Sequence, residues 1–445
     1  MLGTIAAGAA LLLAMTATAW SHERQGRIRH VVVIYQENHS FDNVFGRFCL
    51  RTGRCDGSRK GKLPGGAPIS LRTSPDVVPD AGHTGTAQKR AINHGRMDGW
   101  TEINGCSEAR NYGCLTQYSP RQIPNLTRLA RHFALSDRTF YMDSVPTWGA
   151  HLELVTGTLD GFVSDRLPHP TSSTVAAGWG CDARTETEWR PSPGGPISLQ
   201  PSCVPDYGLD PVRYPYGGAY RPTAVRHVPT LMDELSQAGL SWKLYTATAP
   251  GKNGYGLAIC PTFAGCLYTS QHRHQVDHRD VLRDARRGAL PNFSIVLPTW
   301  TNSQHNRDSM AVGDNWIGKV VEAIEESRDW SSTAILIAYD DCGCFYDHVP
   351  PPNGMGIRTP MVIVSPWVKP AYTDSRVTSI ASIMAFAERT FDLPALTQRD
   401  AAAYSYRRAF DFNQVPLSPV PMTKTRIPRA ERERLARRGR PPGRT

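Results

Sequence analysis

The chain has 445 residues, enough to bury a large core, and its 35 prolines and 38 glycines at ordinary apolar content point to many ordered loops rather than disorder. Length alone suggests about three domains, but a single wound α/β unit with insertions fits the pattern better. Much of the net charge of +10 lies between Lys424 and Arg444, and no basic patch interleaved with aromatics accompanies it, so no nucleic-acid partner is expected.

At the N-terminus an apolar segment from Ile5 to about Ala14 precedes Ala17-Thr18-Ala19, a small-x-small site of the kind signal peptidase accepts. Residues 1–20 therefore read as a signal peptide or, since no Lys or Arg precedes the apolar run, an uncleaved N-terminal anchor. A secreted or extracellular protein is the expectation. The ten cysteines agree with an oxidising compartment, and their spacing suggests Cys49/Cys55, Cys106/Cys114, Cys260/Cys266 and, more widely, Cys181/Cys203 as loop staples. Cys342-Gly-Cys344 is different: a two-residue step makes a strained bridge, and without a CxxC pair nearby a zinc or redox role is disfavoured.

Strand-like runs recur at His30–Tyr35, Ser241–Tyr245, Phe293–Leu297, Ala334–Tyr339 and Met361–Ser365. Helical patterns fall between them. Asn125 is placed to cap a helix carrying Leu126, Leu129 and Phe133, and Thr230 with Asp233 resembles a capping box. Asn315–Ser327 puts Trp316, Ile317, Val320, Val321 and Ile324 on one face, with Asp314 as the expected N-cap. Alternating strands and helices imply a mostly parallel sheet flanked by helices. Residues 27–415 then form one catalytic domain, interrupted at about 164–228 by a loop-rich insertion at the mouth of the site, and 416–445 form a basic, Pro/Arg-rich tail. The tail reads as solvated and partly helical, with an anionic membrane or wall surface as the sharper alternative.

Two apolar runs end abruptly in acids and amides. His30 to Gln36 is followed by Glu37 and Asn38, and Ala334 to Tyr339 by Asp340 and Asp341. A single acid after a strand usually caps a turn, but two strands with such endings, at the carboxyl edge of one sheet, point to a site. Converging oxygen donors suit a hard divalent cation. Between these runs, Thr147 follows a proline and opens a helix-like stretch that includes His151, as a cap or as a nucleophile. His83, His305 and His348 stand in polar loops and complete what phosphoryl transfer needs.

The stretches Gln36-Glu-Asn-His-Ser-Phe-Asp-Asn-Val-Phe-Gly46, Asp80-Ala-Gly-His83 with Gly95-Arg-Met-Asp-Gly99, Pro146-Thr-Trp-Gly-Ala-His151, Ser303-Gln-His305 and Tyr339-Asp-Asp-Cys-Gly-Cys-Phe-Tyr-Asp-His-Val-Pro-Pro resemble the bacterial phosphoesterase family, which holds phospholipases C of the non-haemolytic type and related acid phosphatases. The motifs follow the family's order and run from about residue 30 to Phe412. The resemblance implies an alkaline-phosphatase-like α/β sandwich and one divalent ion of unknown identity, held by Glu37, Asn38, Thr147, Asp340 and Asp341. It also implies that Thr147 attacks phosphorus, and that His83, His151, His305 and His348 meet phosphate oxygens or protonate the leaving alcohol. The substrate implied is a phosphodiester such as a phospholipid headgroup, with a broad-specificity phosphomonoesterase and a non-catalytic wall- or lipid-binding protein as alternatives. Three departures stand out: Gln304 where the family has Glu, Ala150 where it has Asn, and Cys342 and Cys344 in place of a Trp and a Gly.

Overall fold

A computed structural model describes residues 27–163, 178–183, 185–215, 224–352 and 354–437. The segment 1–20 and the last part of the basic tail lie outside them. The architecture is built on one eight-stranded sheet, with strands β1 (His30–Gln36), β2 (Ala134–Ser136), β3 (Trp242–Thr246), β4 (Gln275–Asp277), β5 (Phe293–Val296), β6 (Thr333–Tyr339), β7 (Met361–Val364) and β8 (Thr373–Asp374) in the order β4-β3-β5-β1-β6-β7-β2-β8. Strands β4, β3, β5, β1 and β6 are mutually parallel, while β7 runs antiparallel between β6 and β2.

The centre of the sheet forms where the sequence is least ambiguous. Val31 to Tyr35 in β1 and all seven residues of β6 are buried, as β-branched runs covered on both faces must be. Burying each large apolar side chain there contributes about 1.5–3 kcal/mol. The register pairs Gln36 with Tyr339, so the residues that follow both strands emerge side by side. That alignment positions the site.

Helices α1 (Phe41–Thr52), α2 (Gly85–Ile92), α3 (Pro124–His132), α4 (Thr147–Thr156), α5 (Leu231–Gln237), α6 (Met310–Glu325), α7 (Ala381–Phe391) and α8 (Arg429–Arg437) accompany the sheet. Ser40 caps α1 through the amide of Asn43, and Gly53 ends it in the left-handed region at φ 66°. The capping box of Thr230 and Asp233 opens α5 as expected. Two caps differ from expectation. Ser309, not Asp314, caps α6, and Ile123 occupies the cap position of α3, with Asn125 inside the helix. Asp314 is buried within α6 and reaches across to accept the amides of Asn125 and Leu126 at 3.0 and 2.9 Å. It caps the neighbouring helix, a through-space role that local spacing does not reveal.

The segment after Pro416 is not a free tail over its first part. Leu417 donates its amide to Pro366, and Val420 donates its amide to Glu325. Asn125 and Asn315 then each pair in both directions with the backbone of Thr423 and Thr425, at 2.7–2.9 Å. The strap leads into α8, where Leu435 is buried.

All four expected cysteine pairs are disulfides, Cys49–Cys55, Cys106–Cys114, Cys181–Cys203 and Cys260–Cys266, and Cys342 and Cys344 are free. In the insertion, the described residues include an antiparallel hairpin, Glu186–Trp189 with Ser198–Pro201. Among the described residues no helix is long and apolar enough to cross a membrane.

Candidate active site

Beyond β1 the chain turns sharply at Asn38, whose φ of 47° places its amide group over the end of β6. The Asn38 N–H donates to Asp340 Oδ1 at 2.8 Å, Asp341 N–H donates to the same oxygen at 2.7 Å, and Asp340 N–H donates back to the Gln36 carbonyl at 2.9 Å. These bonds lock the two strand endings together. Asn38 Oδ1 lies 2.9–3.1 Å from carboxylate oxygens of Asp340 and Glu37, and its Nδ2 lies 3.0 Å from Nε2 of His83 and of His305. This orientation turns the amide oxygen, with the carboxylates, toward the space a shared cation would take. The two rings are aimed by their other nitrogens, His83 Nδ1 at the Ala81 carbonyl (2.8 Å) and His305 Nδ1 at the Asn306 carbonyl (2.9 Å).

Thr147 comes to this point from a third element. Pro146 takes the cap position of α4 and provides no side-chain cap, so Thr147 is the first helical residue and its hydroxyl is not spent on capping. Its Oγ1 instead donates to Glu37 Oε2 at 3.4 Å. The helix N-terminus beneath it directs amides and the positive end of its dipole toward an anion. His151, one turn along α4, sets Nε2 at 3.8 Å from Glu37 Oε1. Burial pushes its pKa down to about 3, so its ring is neutral at ordinary pH. Ligand atoms of Glu37, His151 and Asp340 all lie within 4.8 Å of one another.

Glu37, Asn38, Asp340 and Asp341 are fully buried, and Thr147, His83, His151 and His305 nearly so. Burial, reinforced for Asp340 by the charge of Asp341, drives both aspartic carboxyl groups well above the usual carboxylate range. Converging buried carboxylates repel unless a cation neutralises them. The donor set of three carboxylates, an amide and a hydroxyl is oxygen-rich and fits a hard divalent ion, and His151 adds a nitrogen on the same side. A second layer fixes the cluster from below: the Tyr35 and Tyr141 hydroxyls lie 2.5 Å apart, Tyr35 donates to the Ala150 carbonyl, and Tyr141 donates to that of Tyr339.

The structure does not bring His348 to this cluster. Its Nδ1 lies 2.5 Å from Asp42 Oδ2 and its Nε2 2.9 Å from Asp56 Oδ1, so both ring nitrogens are taken up by carboxylates. The expectation that it meets phosphate or protonates a leaving group is corrected accordingly. Instead His348 belongs to a buried ion network in which Arg358 pairs with Asp42 and Asp347. Asp42, Asp347 and His348 also satisfy the spacing of a metal cluster, but Arg358 already supplies the cation there.

Gln304 is likewise explained by its surroundings. Buried at φ 59°, it accepts from the Tyr339 hydroxyl at 2.6 Å and donates Nε2 to the Met310 carbonyl at 3.0 Å. A carboxylate has no proton to offer that carbonyl, so the amide suits this site and holds the His305 loop to β6 and α6.

Residues that sequence reasoning missed join the loops. Gln88 Nε2 donates to the carbonyls of both His83 (3.1 Å) and Val145 (2.7 Å), linking the histidine loop to the loop that presents Thr147. Asn306 Nδ2 donates to the Gly343 carbonyl at 3.1 Å and lies 3.5 Å from that of Ala81. Gln88 had one local signal, its place on the first turns of a helix capped just after His83.

The sequence profile of the Phosphoesterase family matches residues 28–394. The chain belongs to that family. As a member of the Phosphoesterase family it is a hydrolase acting on phosphoester bonds. Curated relatives include Non-specific phospholipase C1 of Arabidopsis thaliana, 24% identical with 90% of this chain and 74% of that protein covered. Phospholipase C A of Mycobacterium tuberculosis is 23% identical over 88% of this chain and 79% of its own length. For the Non-hemolytic phospholipase C of Pseudomonas aeruginosa the identity is 24%, over 91% of this chain and 61% of that protein. Similarity to solved structures is distant: a protein in the alkaline phosphatase superfamily from Vibrio parahaemolyticus gives a TM-score of 0.34 at 12% identity, covering 65% of this chain and 66% of that one.

Proposed function

We propose that this phosphoesterase is a secreted, metal-dependent enzyme that cleaves phosphodiesters of the phospholipid-headgroup kind through a phospho-threonine intermediate. The observation that carries the reading is the placement of Thr147 Oγ1 at a helix N-terminus, on Glu37, while Asn38 and Asp340 close the same space and Nε2 of His83 and of His305 face it. The relatives named phospholipase C, on plants and bacteria alike, point to a diester. Four disulfides support export.

In this reading Glu37, Asn38, Asp340, Asp341 and Thr147 hold the cation, with His151 beside them. A bound divalent ion supplies the charge that acidifies the hydroxyl and neutralises phosphoryl oxygens. Thr147 Oγ attacks phosphorus, the diester's P–O bond to the leaving alcohol breaks, and water later cleaves the phospho-threonine. His83 and His305 bind the equatorial oxygens and hand the proton to the leaving alcohol. His151, neutral at working pH, serves as a ligand or a hydrogen-bond partner and not as that acid.

Turnover of a chromogenic phosphocholine diester and of a chromogenic phosphomonoester, with and without chelator, tests the proposal alongside Thr147→Ala. Diester turnover is expected to vanish with chelator and to fall at least about 10³-fold in the variant. Monoester turnover without diester turnover makes the protein a phosphatase. No turnover of either, with surface binding that depends on residues after Pro416, makes it a binding protein.

A further inference from the structure

The four residues after Asp341 form a tight turn whose geometry was not apparent in the sequence. Phe345 N–H donates to the Cys342 carbonyl at 3.0 Å, and both central residues have positive φ, Gly343 at 50° and Cys344 at 49°. Positive φ at both centres marks the type I′ class, which favours glycine or asparagine at the second centre and disfavours a side chain such as cysteine. Gly343 has no alternative, since a Cβ there meets the Asn38 carbonyl at 2.2 Å and Asn306 Oδ1 at 2.7 Å. Cys344 therefore sits in a costly conformation within a turn that touches the backbone of Asn38. The curl brings Cys342 Sγ and Cys344 Sγ to 3.1 Å, and Cys344 N–H donates to Cys342 Sγ at 3.0 Å. Both side chains are buried.

We propose that Cys342 and Cys344 form a fifth disulfide, closing an i,i+2 ring that stiffens the turn behind Asp341. The eight other cysteines are already paired, so an environment that oxidises those staples supplies the oxidant. The co-reactant is a small or protein disulfide. A thiolate of the pair attacks it, forming a mixed disulfide and releasing one thiol, and the second cysteine displaces the other. The two cysteines lose two electrons and two protons, which the oxidant takes up as two thiols. Both thiols are buried in the folded chain and out of reach of an oxidant, so the exchange belongs to folding, before the turn is covered.

The ring also encloses a contact with the proposed metal site. Gly343 N–H, inside it, donates to Asp341 Oδ1 at 2.6 Å. Closing the ring fixes that donor, and with it the orientation of the Asp341 carboxylate, as an outer-shell partner of the cation. This consequence rests on the metal reading given above, whereas the disulfide itself does not.

The test is a disulfide map of secreted wild-type protein, denatured and alkylated without reductant before tryptic digestion. The peptide spanning Cys342 and Cys344 is expected unalkylated and lighter by two hydrogens than its dithiol form. Alkylation of both cysteines in folded, otherwise fully paired protein overturns the proposal. Calorimetric titration with Ca²⁺, Mn²⁺ and Zn²⁺, each alone, then compares wild type with Cys342→Ser/Cys344→Ser, and the variant is expected to bind the accepted ion about 10-fold more weakly. Unchanged affinity in a folded variant overturns the link to Asp341. Failure of wild-type protein to bind any of the three ions counts against the metal reading and leaves the map to decide the disulfide.

Discussion

Gln88 shows how the proposed site depends on residues outside its ligand and nucleophile set. One side-chain amide holds two carbonyls belonging to separate loops, one carrying His83 and the other leading to Thr147. A single donor group thus links the loop of the proposed nucleophile to the loop of the proposed phosphate-binding ring. Gln88→Met keeps the length and burial of the side chain but removes both bonds. It is expected to lower kcat about 10²-fold, since a misplacement of about 1 Å costs that much, with a much smaller change in KM. Steady-state kinetics together with a melting curve checks this. A lower Tm at unchanged kcat makes Gln88 a packing residue only. Glu37, Asn38, Asp340 and Asp341 were legible in the sequence because they directly follow recognisable strands, and the sheet aligns strand ends. Asn306 and Arg358 were not, nor was the bond from Gln88 to Val145, because these contacts join residues distant along the chain and no local pattern encodes them. His348 misled for the same reason: its partners Asp42 and Asp56 lie far off along the chain and make it part of an ion network rather than a phosphate pocket.

Elements were legible in proportion to the length of their apolar runs. Strands β1, β3, β5, β6 and β7 were found within one or two residues because long β-branched runs have few other uses. The short strands β2, β4 and β8 lack periodicity and pair only through tertiary context, and nothing in the sequence of β7 marks it as antiparallel. The C-terminal strap is a further case. Its composition reads as solvated, yet Asn125 and Asn315 bind alternate residues of it as a neighbouring strand would. These bonds, rather than apolar burial, hold Thr423 and Thr425 in place. Asn315→Ala removes the pair at Thr425, and at about 0.5–1.5 kcal/mol per bond it is expected to weaken local protection by up to about a hundredfold. Hydrogen exchange at the Thr425 amide reads this directly, with β1 amides as the control. Unchanged protection at Thr425 shows that α8 docks the strap without the asparagines.

At the scale of the whole molecule, several buried acids impose one pH dependence. Glu388 on α7 lies beside Asp400 and Glu234, and burial followed by those neighbours raises its pKa to about 9. Glu325 is raised to about 8, chiefly by burial, and Glu234 to about 7. His348 is also raised: the bond and charge of Asp42 outweigh its burial. For each carboxyl group the folded pKa exceeds the unfolded value of about 4.3, so between the two the folded chain binds more protons. Their contribution to stability is whole below the unfolded pKa and is lost as pH rises toward the folded one. The histidine has the same sign, its contribution disappearing as pH climbs through its folded pKa. The contribution of these groups is expected to decline from about pH 5 to about pH 9, while buried histidines such as His39, which burial pushes down to about 4, contribute the opposite trend below about pH 6.5. Glu388→Gln retains a donor for Asp400 and cannot ionise, so it should flatten this decline and raise Tm most at the alkaline end. Denaturant unfolding of wild type and variant across that range decides the matter. Parallel curves for the two proteins show that Glu388 is not the group that titrates.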